Sequence, residues 1–223
     1  MNEVSYQVGL TKFSDLTLKE FKIKYTGLQV SNSHGSNSSP IPGSYNGSNP
    51  ASVDWRDHLV AVKDQKQCGS CWSFSAACSL EFGYNIANKK KESNNESFSE
   101  QQMVDCSGAY GNHGCNGGLM DKAFNYVMKY GEEKEKDYPY KAKDQACKYD
   151  AKKLKLLVGE LQSYQDIPKG DAQSLENAAA ARVVSVGVDA TPLHDYKGGV
   201  ITDSGYTNID HGVAIVGYGY DDT

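Results

Sequence analysis

Two regimes of hydrophobic patterning divide this 223-residue chain. From Cys71 to Phe82 (CWSFSAACSLEF) apolar side chains fall on nearly every face of a 3.6-residue repeat, which predicts a helix buried all round. From Leu119 to Tyr130 the residues Phe124, Val127 and Met128 share one face, predicting a second helix. Beyond about residue 161 the pattern turns strand-like, in Val183 to Val188 and again in Val213 to Val216. Near the start, Thr17-Leu18-Lys19-Glu20-Phe21 reads as a capped helix N-terminus. Residues 31–50 are Ser, Asn, Gly and Pro almost throughout, the composition of a flexible, protease-accessible linker. The expected order is therefore a leader, a linker, a helical half and a β half, with no internal repeat.

Charge adds exclusions. Lys and Arg number 23 against 28 Asp and Glu, a net charge of −5, which leaves no basic footprint for nucleic acid or an anionic membrane. The most apolar stretch, Gly212 to Tyr220, is far shorter than the roughly 20 residues a membrane span needs. The opening MNEVSYQVGL carries neither a basic nor an apolar signal region, so an expected leader for export lies outside this sequence. Six cysteines at 68, 71, 78, 106, 115 and 147 point to disulfides and an oxidising compartment, with metal or redox chemistry as the other uses of such a cluster. Sequons at Asn37, Asn46 and Asn95 are glycosylation candidates that lean the same way.

The chemistry centres on Cys71. Gly69-Ser70 supplies turn and N-cap residues, so Cys71 begins the buried helix. There the positive end of the helix dipole and unpaired N–H groups favour the thiolate, which is the nucleophilic form. An isolated cysteine at such a place is more often structural, but its neighbours are informative. Gln65-Lys66-Gln67-Cys68-Gly69-Ser70-Cys71-Trp72 contains C-G-[SA]-C-[WY], and Asp210-His211-Gly212 lies roughly 140 residues downstream, the interval at which a partner histidine is expected. Ser52-Val53-Asp54-Trp55-Arg56, Ser99 to Cys106, Gly114 to Asp121, Asp137-Tyr138-Pro139-Tyr140 and Gly212 to Gly219 extend the match. From about residue 5 to its end the chain resembles the papain-like, cathepsin L-type cysteine peptidases.

That resemblance implies an α+β fold of two domains, a helical left domain and an incomplete β-barrel right domain with a cleft between them. Residues 1–49 would be a partial inhibitory propeptide and linker, and 50–223 the peptidase domain. Cys71 would attack the scissile carbonyl, and His211 would hold it as a thiolate–imidazolium pair and protonate the leaving amine. Gln65 would donate to the oxyanion beside the Cys71 N–H. Gly117 and Gly118 would pair with an extended substrate. Leu119, Met120, Gly187 and Gly212, with Asp210 next to them, would wall a pocket for a bulky apolar residue before the scissile one. The implied disulfides are Cys68–Cys115 and Cys106–Cys147, leaving Cys78 as a small buried hydrophobe. Protein or peptide substrates and the chain's own propeptide are the expected partners. A monomer, a lysosomal, vacuolar or secreted location, and no metal or organic cofactor complete the picture. Acid is expected to loosen the leader by protonating carboxylates such as Asp15, exposing residues 31–50 to cleavage.

The sequence departs from the family in places. The orienting Asn downstream of the histidine, the last strands of the β half and the first half of the propeptide have no counterpart. Asp57 to Val62 is about two residues short, and Lys66 stands where Gly is usual. A catalytically silent member acting as a binding or inhibitory protein is the alternative these departures raise. A thiol–disulfide oxidoreductase using Cys68-x-x-Cys71 lacks the βαβ setting and has Trp72 on the wrong side. Zinc binding by Cys68, Cys71, Cys106 and Cys115 fails on spacing. His34, His58, His113 and His194 show no ligand spacing and read as solvated or local structural residues, and Lys89 to Lys91 as a solvated helix end.

Overall fold

The computed structural model describes residues 6–30 and 48–220; His34, the sequons at Asn37 and Asn46 and most of the expected linker lie outside them. One helix organises the molecule. Helix α2 (Cys71–Ala87) buries Trp72, Ala76, Ala77, Leu80 and Phe82 along its length, as its all-round apolar pattern requires. On one side it packs against α3 (Glu100–Cys106) and α4 (Met120–Tyr130), forming a core with Met103, Val104, Ala123, Tyr126 and Val127. On the other it meets the paired strands β5 (Val184–Val188) and β7 (His211–Ile215), antiparallel with Val186 opposite Val213.

That second face is stitched by serines. Ser75 Oγ donates to the Val213 carbonyl at 2.6 Å, the Ser79 and Ser185 hydroxyls meet at 2.8 Å, and Ser185 Oγ reaches the Ser75 carbonyl at 2.9 Å. Small polar side chains thus let helix and sheet approach closely while satisfying the buried groups. A further ladder joins β2 (Val53–Asp54) to β8 (Gly217–Tyr218). Among the described residues the β half consists of such two-stranded ladders, not a closed barrel. The helical half carries the disulfides Cys68–Cys115 and Cys106–Cys147. Closing loops of 47 and 41 residues, each stabilises the fold by about 4 kcal/mol on a chain-entropy account. Cys78 is free and partly buried, its thiol pushed up to about 12 by burial.

The leader folds onto the β half. Helix α1 (Leu18–Tyr25) begins with the expected capping box, Thr17 Oγ1 accepting from the Glu20 N–H at 3.2 Å and Glu20 accepting from the Thr17 N–H at 2.8 Å. Strand β1 (Gln7–Val8) pairs antiparallel with β6 (Tyr196–Gly198).

A buried carboxyl in the helical half carries a pH prediction. Glu132, on the short strand β3 (Glu132–Glu133), is fully buried, and neither side-chain oxygen has a hydrogen-bond partner among the described residues. Nearby, Lys63 bridges the buried Glu81 and Glu100. Burial first, then Glu100 and Glu133, pushes the Glu132 carboxyl well above its ordinary range, with Lys63 opposing. The folded chain therefore keeps a proton that the unfolded chain releases above the ordinary glutamate pKa. This contribution to stability is complete below that value and is lost as pH rises through the raised one. The Tm is expected to fall from about pH 5 to about pH 7.5, and Glu132→Leu to raise it at the upper pH by roughly 3–10 °C. Parallel Tm curves for the two proteins would remove Glu132 as the cause.

Candidate active site

The first turn of α2, the start of β7, the Gln65 loop and the Gly117-Gly118 turn converge, and the leader lies across them. Cys71 opens α2 with no solvent exposure. Strand β7 runs flush against it, so that a Cβ on Gly212 would lie 3.3 Å from the Cys71 carbonyl group. His211, one residue earlier, opens the strand at this junction. The expected side-chain cap at Ser70 is absent: Ser70 occupies the N-cap position, but its hydroxyl meets the Tyr140 hydroxyl at 2.6 Å instead.

Leader residues 25–29 occupy the groove. The Tyr25 carbonyl accepts the Gln65 side-chain amide at 3.0 Å, the same nitrogen also reaching the Cys68 carbonyl at 2.9 Å. The Gly27 and Leu28 N–H groups both donate to the Asp210 carbonyl, at 3.1 and 3.0 Å. The Gly118 N–H donates to the Gly27 carbonyl at 2.9 Å and the Gln29 N–H to the Gly118 carbonyl at 3.1 Å, which makes Leu28 and Gly118 a parallel β-bridge. Gln29 Nε2 adds a bond of 2.7 Å to the Asn116 carbonyl. Gly27 is dictated by space, since a Cβ there would fall far inside van der Waals contact with the Gly69 carbonyl.

Leu28 points inward. It joins the buried cluster containing Cys71, Trp72 and Leu119, with Met120 packed against it. A Cβ on Gly187 would stand 2.6 Å from Leu28 Cδ2 and 2.7 Å from Ile209 Cγ2, so the absence of a side chain at 187 makes the room Leu28 fills. Gln65, Cys71, Gly117, Gly118, Leu119, Met120, Gly187, Asp210, His211 and Gly212 are thus gathered around one groove. Leu28 and Ile209 belong to it too and were not read from the sequence, because an isolated aliphatic residue carries no signal of what it will contact.

Electrostatics under the leader favour neutral groups. Burial pushes the Cys71 thiol up to about 11, against the pull of the Gly212, Trp72 and Gly27 N–H groups. Burial also lowers His211, against the Asp210 carboxylate, and its Nδ1 is buried without a hydrogen-bond partner among the described residues.

The leader's other anchors run against the expected acid release. Lys22 Nζ on α1 lies 3.1 Å from Asp189 and 2.8 Å from Asp210. Burial would raise Asp189, but the Thr191 hydrogen bonds, then Lys22 and the Asn208 N–H, outweigh it and hold that carboxylate at about 2. His194 is the second anchor, edge-on to Phe21 at 5.3 Å. Its Nε2 faces the Leu16 carbonyl at 3.0 Å and its Nδ1 faces Asp195 at 2.8 Å. Both partners are acceptors, so only the doubly protonated ring satisfies both. Burial would lower this histidine, but the Asp195 hydrogen bond and the leader carbonyl hold it above its ordinary value. Protonation therefore strengthens this contact as pH falls. Asp15 is exposed and makes no ion pair among the described residues. Of the two roles expected for His194, solvated or structural, its contacts with the Leu16 carbonyl and Asp195 fit the structural one.

Other candidates fall away from the groove. Asn95 Nδ2 donates to the Asp57 and Leu59 carbonyls, both at 2.9 Å, so a glycan there, which replaces one of the two N–H hydrogens, would cost at least one of these bonds. His58 Nδ1 meets the Lys90 carbonyl at 3.0 Å, and His113 is exposed. Among the described residues no group of three or more His, Cys, Asp or Glu is arranged to hold a metal, and no helix is long and apolar enough to cross a membrane.

Comparison with known proteins meets this geometry. Residues 49–223 match the family described as papain family cysteine protease. The chain is 43% identical over 218 residues to cathepsin L 2 of Paramecium tetraurelia, and 40% identical over 227 residues to a cathepsin L-like protein of Caenorhabditis elegans. These alignments cover 96% and 97% of this chain and 65% of each relative, so the chain spans about two thirds of their length. The solved structure of digestive procathepsin L 3 from Tenebrio molitor larval midgut superposes with a TM-score of 0.84 at 37% identity, covering 98% of this chain and 70% of that one. The fold is the α+β papain fold, and the chain belongs to the papain family of cysteine proteases.

Proposed function

We propose that this chain is the latent form of a cysteine-type endopeptidase, with Cys71 as nucleophile, His211 as its acid–base partner and Gln65 as an oxyanion donor. Residues 6–30 act as its inhibitory propeptide. The observation that carries the reading is the course of residues 25–29: an extended segment pairs with Gly118 and Asp210, fills the apolar pocket with Leu28 and places a carbonyl on the Gln65 amide. A substrate offers the same groups, an extended backbone, an apolar side chain and a polarisable carbonyl. Leader docking also excludes water, which keeps thiol and imidazole neutral; its departure would let the Cys71–His211 ion pair form at the helix terminus. Protein or peptide chains are the substrates, the enzyme works as a monomer, and its place is an acidic lysosomal or vacuolar compartment or the cell exterior.

The alternative, a silent binding protein, draws on His211, whose Nδ1 has no orienting partner among the described residues. Hydrolysis separates the two readings. With the linker cut, a fluorogenic peptide carrying Leu or Phe at P2 should be cleaved at least about tenfold faster than its Lys counterpart, since Trp72, Leu119, Met120 and Ile209 around Leu28 are apolar. Turnover indifferent to P2 would sink the pocket assignment. None at all would favour the silent protein.

A further inference from the structure

The two oxyanion donors of the proposed site, the Gln65 side-chain amide and the Cys71 backbone N–H, sit on different kinds of structure. Cys71 is fixed by α2. Gln65 lies in a loop outside any helix or strand, next to Lys66, whose φ of 54° is the left-handed conformation that a residue with a side chain adopts at a cost. Such a loop needs an external brace to hold a donor within the few tenths of an ångström that oxyanion stabilisation demands.

Tyr140 supplies one. Its hydroxyl donates to the Gln65 backbone carbonyl at 2.8 Å and meets the Ser70 hydroxyl at 2.6 Å. The Tyr140 proton goes to the Gln65 carbonyl, which can only accept, so the Ser70 hydroxyl is the donor in the second bond, its other acceptor, the Cys68 carbonyl, lying farther off at 3.5 Å. One oxygen thereby ties the residue bearing the first donor to the residue immediately before the nucleophile. Tyr140 is itself fixed, its N–H donating to Glu135 at 2.8 Å and its ring edge-on to Phe74 of α2 at 4.9 Å.

The same bond accounts for the missing cap. A serine at the N-cap ordinarily accepts from an N–H of the first helical turn. Here Ser70 is fully buried with its hydroxyl turned to Tyr140; the Ser73 N–H is satisfied by the Ser70 carbonyl at 2.8 Å, and the Trp72 N–H is left to the Cys71 sulfur.

We propose that Tyr140 is a positioning residue for the oxyanion hole, acting through its hydroxyl on the Gln65 carbonyl and the Ser70 side chain. The proposal rests on the cysteine-peptidase reading above. Burial pushes the Tyr140 phenol up to about 12, so the brace stays protonated through the working range and its effect should not vary with pH.

The test uses the full chain cut within its linker, comparing wild type, Tyr140→Phe and Ser70→Ala on the Leu-P2 peptide. Iodoacetamide alkylation of Cys71 is measured alongside, because it needs the thiolate but no oxyanion donor. Tyr140→Phe should lower kcat about tenfold, with KM and the alkylation rate within about twofold of wild type, and equally at about pH 5 and pH 7. Ser70→Ala, which breaks the same bridge with a smaller change in packing, should show the same split and decides the matter if Tyr140→Phe does not fold. Unchanged kcat in a folded variant, or kcat and alkylation falling together, overturns the positioning role alone. A wild-type chain that alkylates but never turns over overturns the peptidase reading and the proposal with it.

Discussion

Gly27→Val in the intact chain is expected to raise peptide hydrolysis about 100-fold over intact wild type, without any cut in the linker. Valine at 27 would drive its Cβ into the Gly69 carbonyl, and backbone on both sides leaves nothing flexible to yield. Residues 27–29 must then lift from the groove. With them go two bonds to Asp210, two with Gly118, the Gln29 side-chain bond to Asn116 and the burial of Leu28. At about 1 kcal/mol net for each bond, partly offset by ordering entropy, roughly 3 kcal/mol of docking free energy is lost, which corresponds to that factor. The rest of the leader, held by β1, Lys22 and His194, need not leave. A Gly27→Val chain as inert as wild type, while linker-cut wild type is active, would mean that residues 27–29 are not the block.

Much of this arrangement was legible in sequence. The all-round apolar run at Cys71 became the helix that joins the two halves, and the Thr17/Glu20 capping box fixed the start of α1. The catalytic candidates could be named because the local pattern around Cys71 and a histidine at the right interval are short-range signals. Long-range pairings were not legible. Leu28 looks like any exposed-segment leucine until Gly187 is seen to leave room for it. His194 has no ligand spacing because its partners, Leu16 and Asp195, are a distant backbone carbonyl and its own neighbour. Ser70 was misread for a related reason: its N-cap position was right, but the competing Tyr140 hydroxyl is 70 residues away.

The expectation of acid release needs replacing on the same grounds. Asp189 holds its charge down to about 2 and His194 binds the leader more tightly when protonated. Mild acid therefore leaves these two anchors in place. In the helical half, the contribution of Glu132 is likewise fully present at low pH.

All of this is organised around Cys71. The Gly212 and Trp72 N–H groups face the Cys71 sulfur at the start of α2, and His211 opens the strand beside it. Cys78 lies seven residues along α2, partly buried, with its thiol at about 12. Replacing Cys71 would remove the proposed nucleophile, and in enzymes whose catalytic groups act as a unit such a loss costs on the order of 10⁶ in kcat. The decisive measurement is hydrolysis of the Leu-P2 peptide by linker-cut chain under reducing conditions near pH 5, wild type beside Cys71→Ala. Wild type should turn the peptide over and the variant should show nothing above background. Turnover that survives in Cys71→Ala, or a folded wild-type chain that cleaves nothing, would contradict the Cys71 peptidase reading.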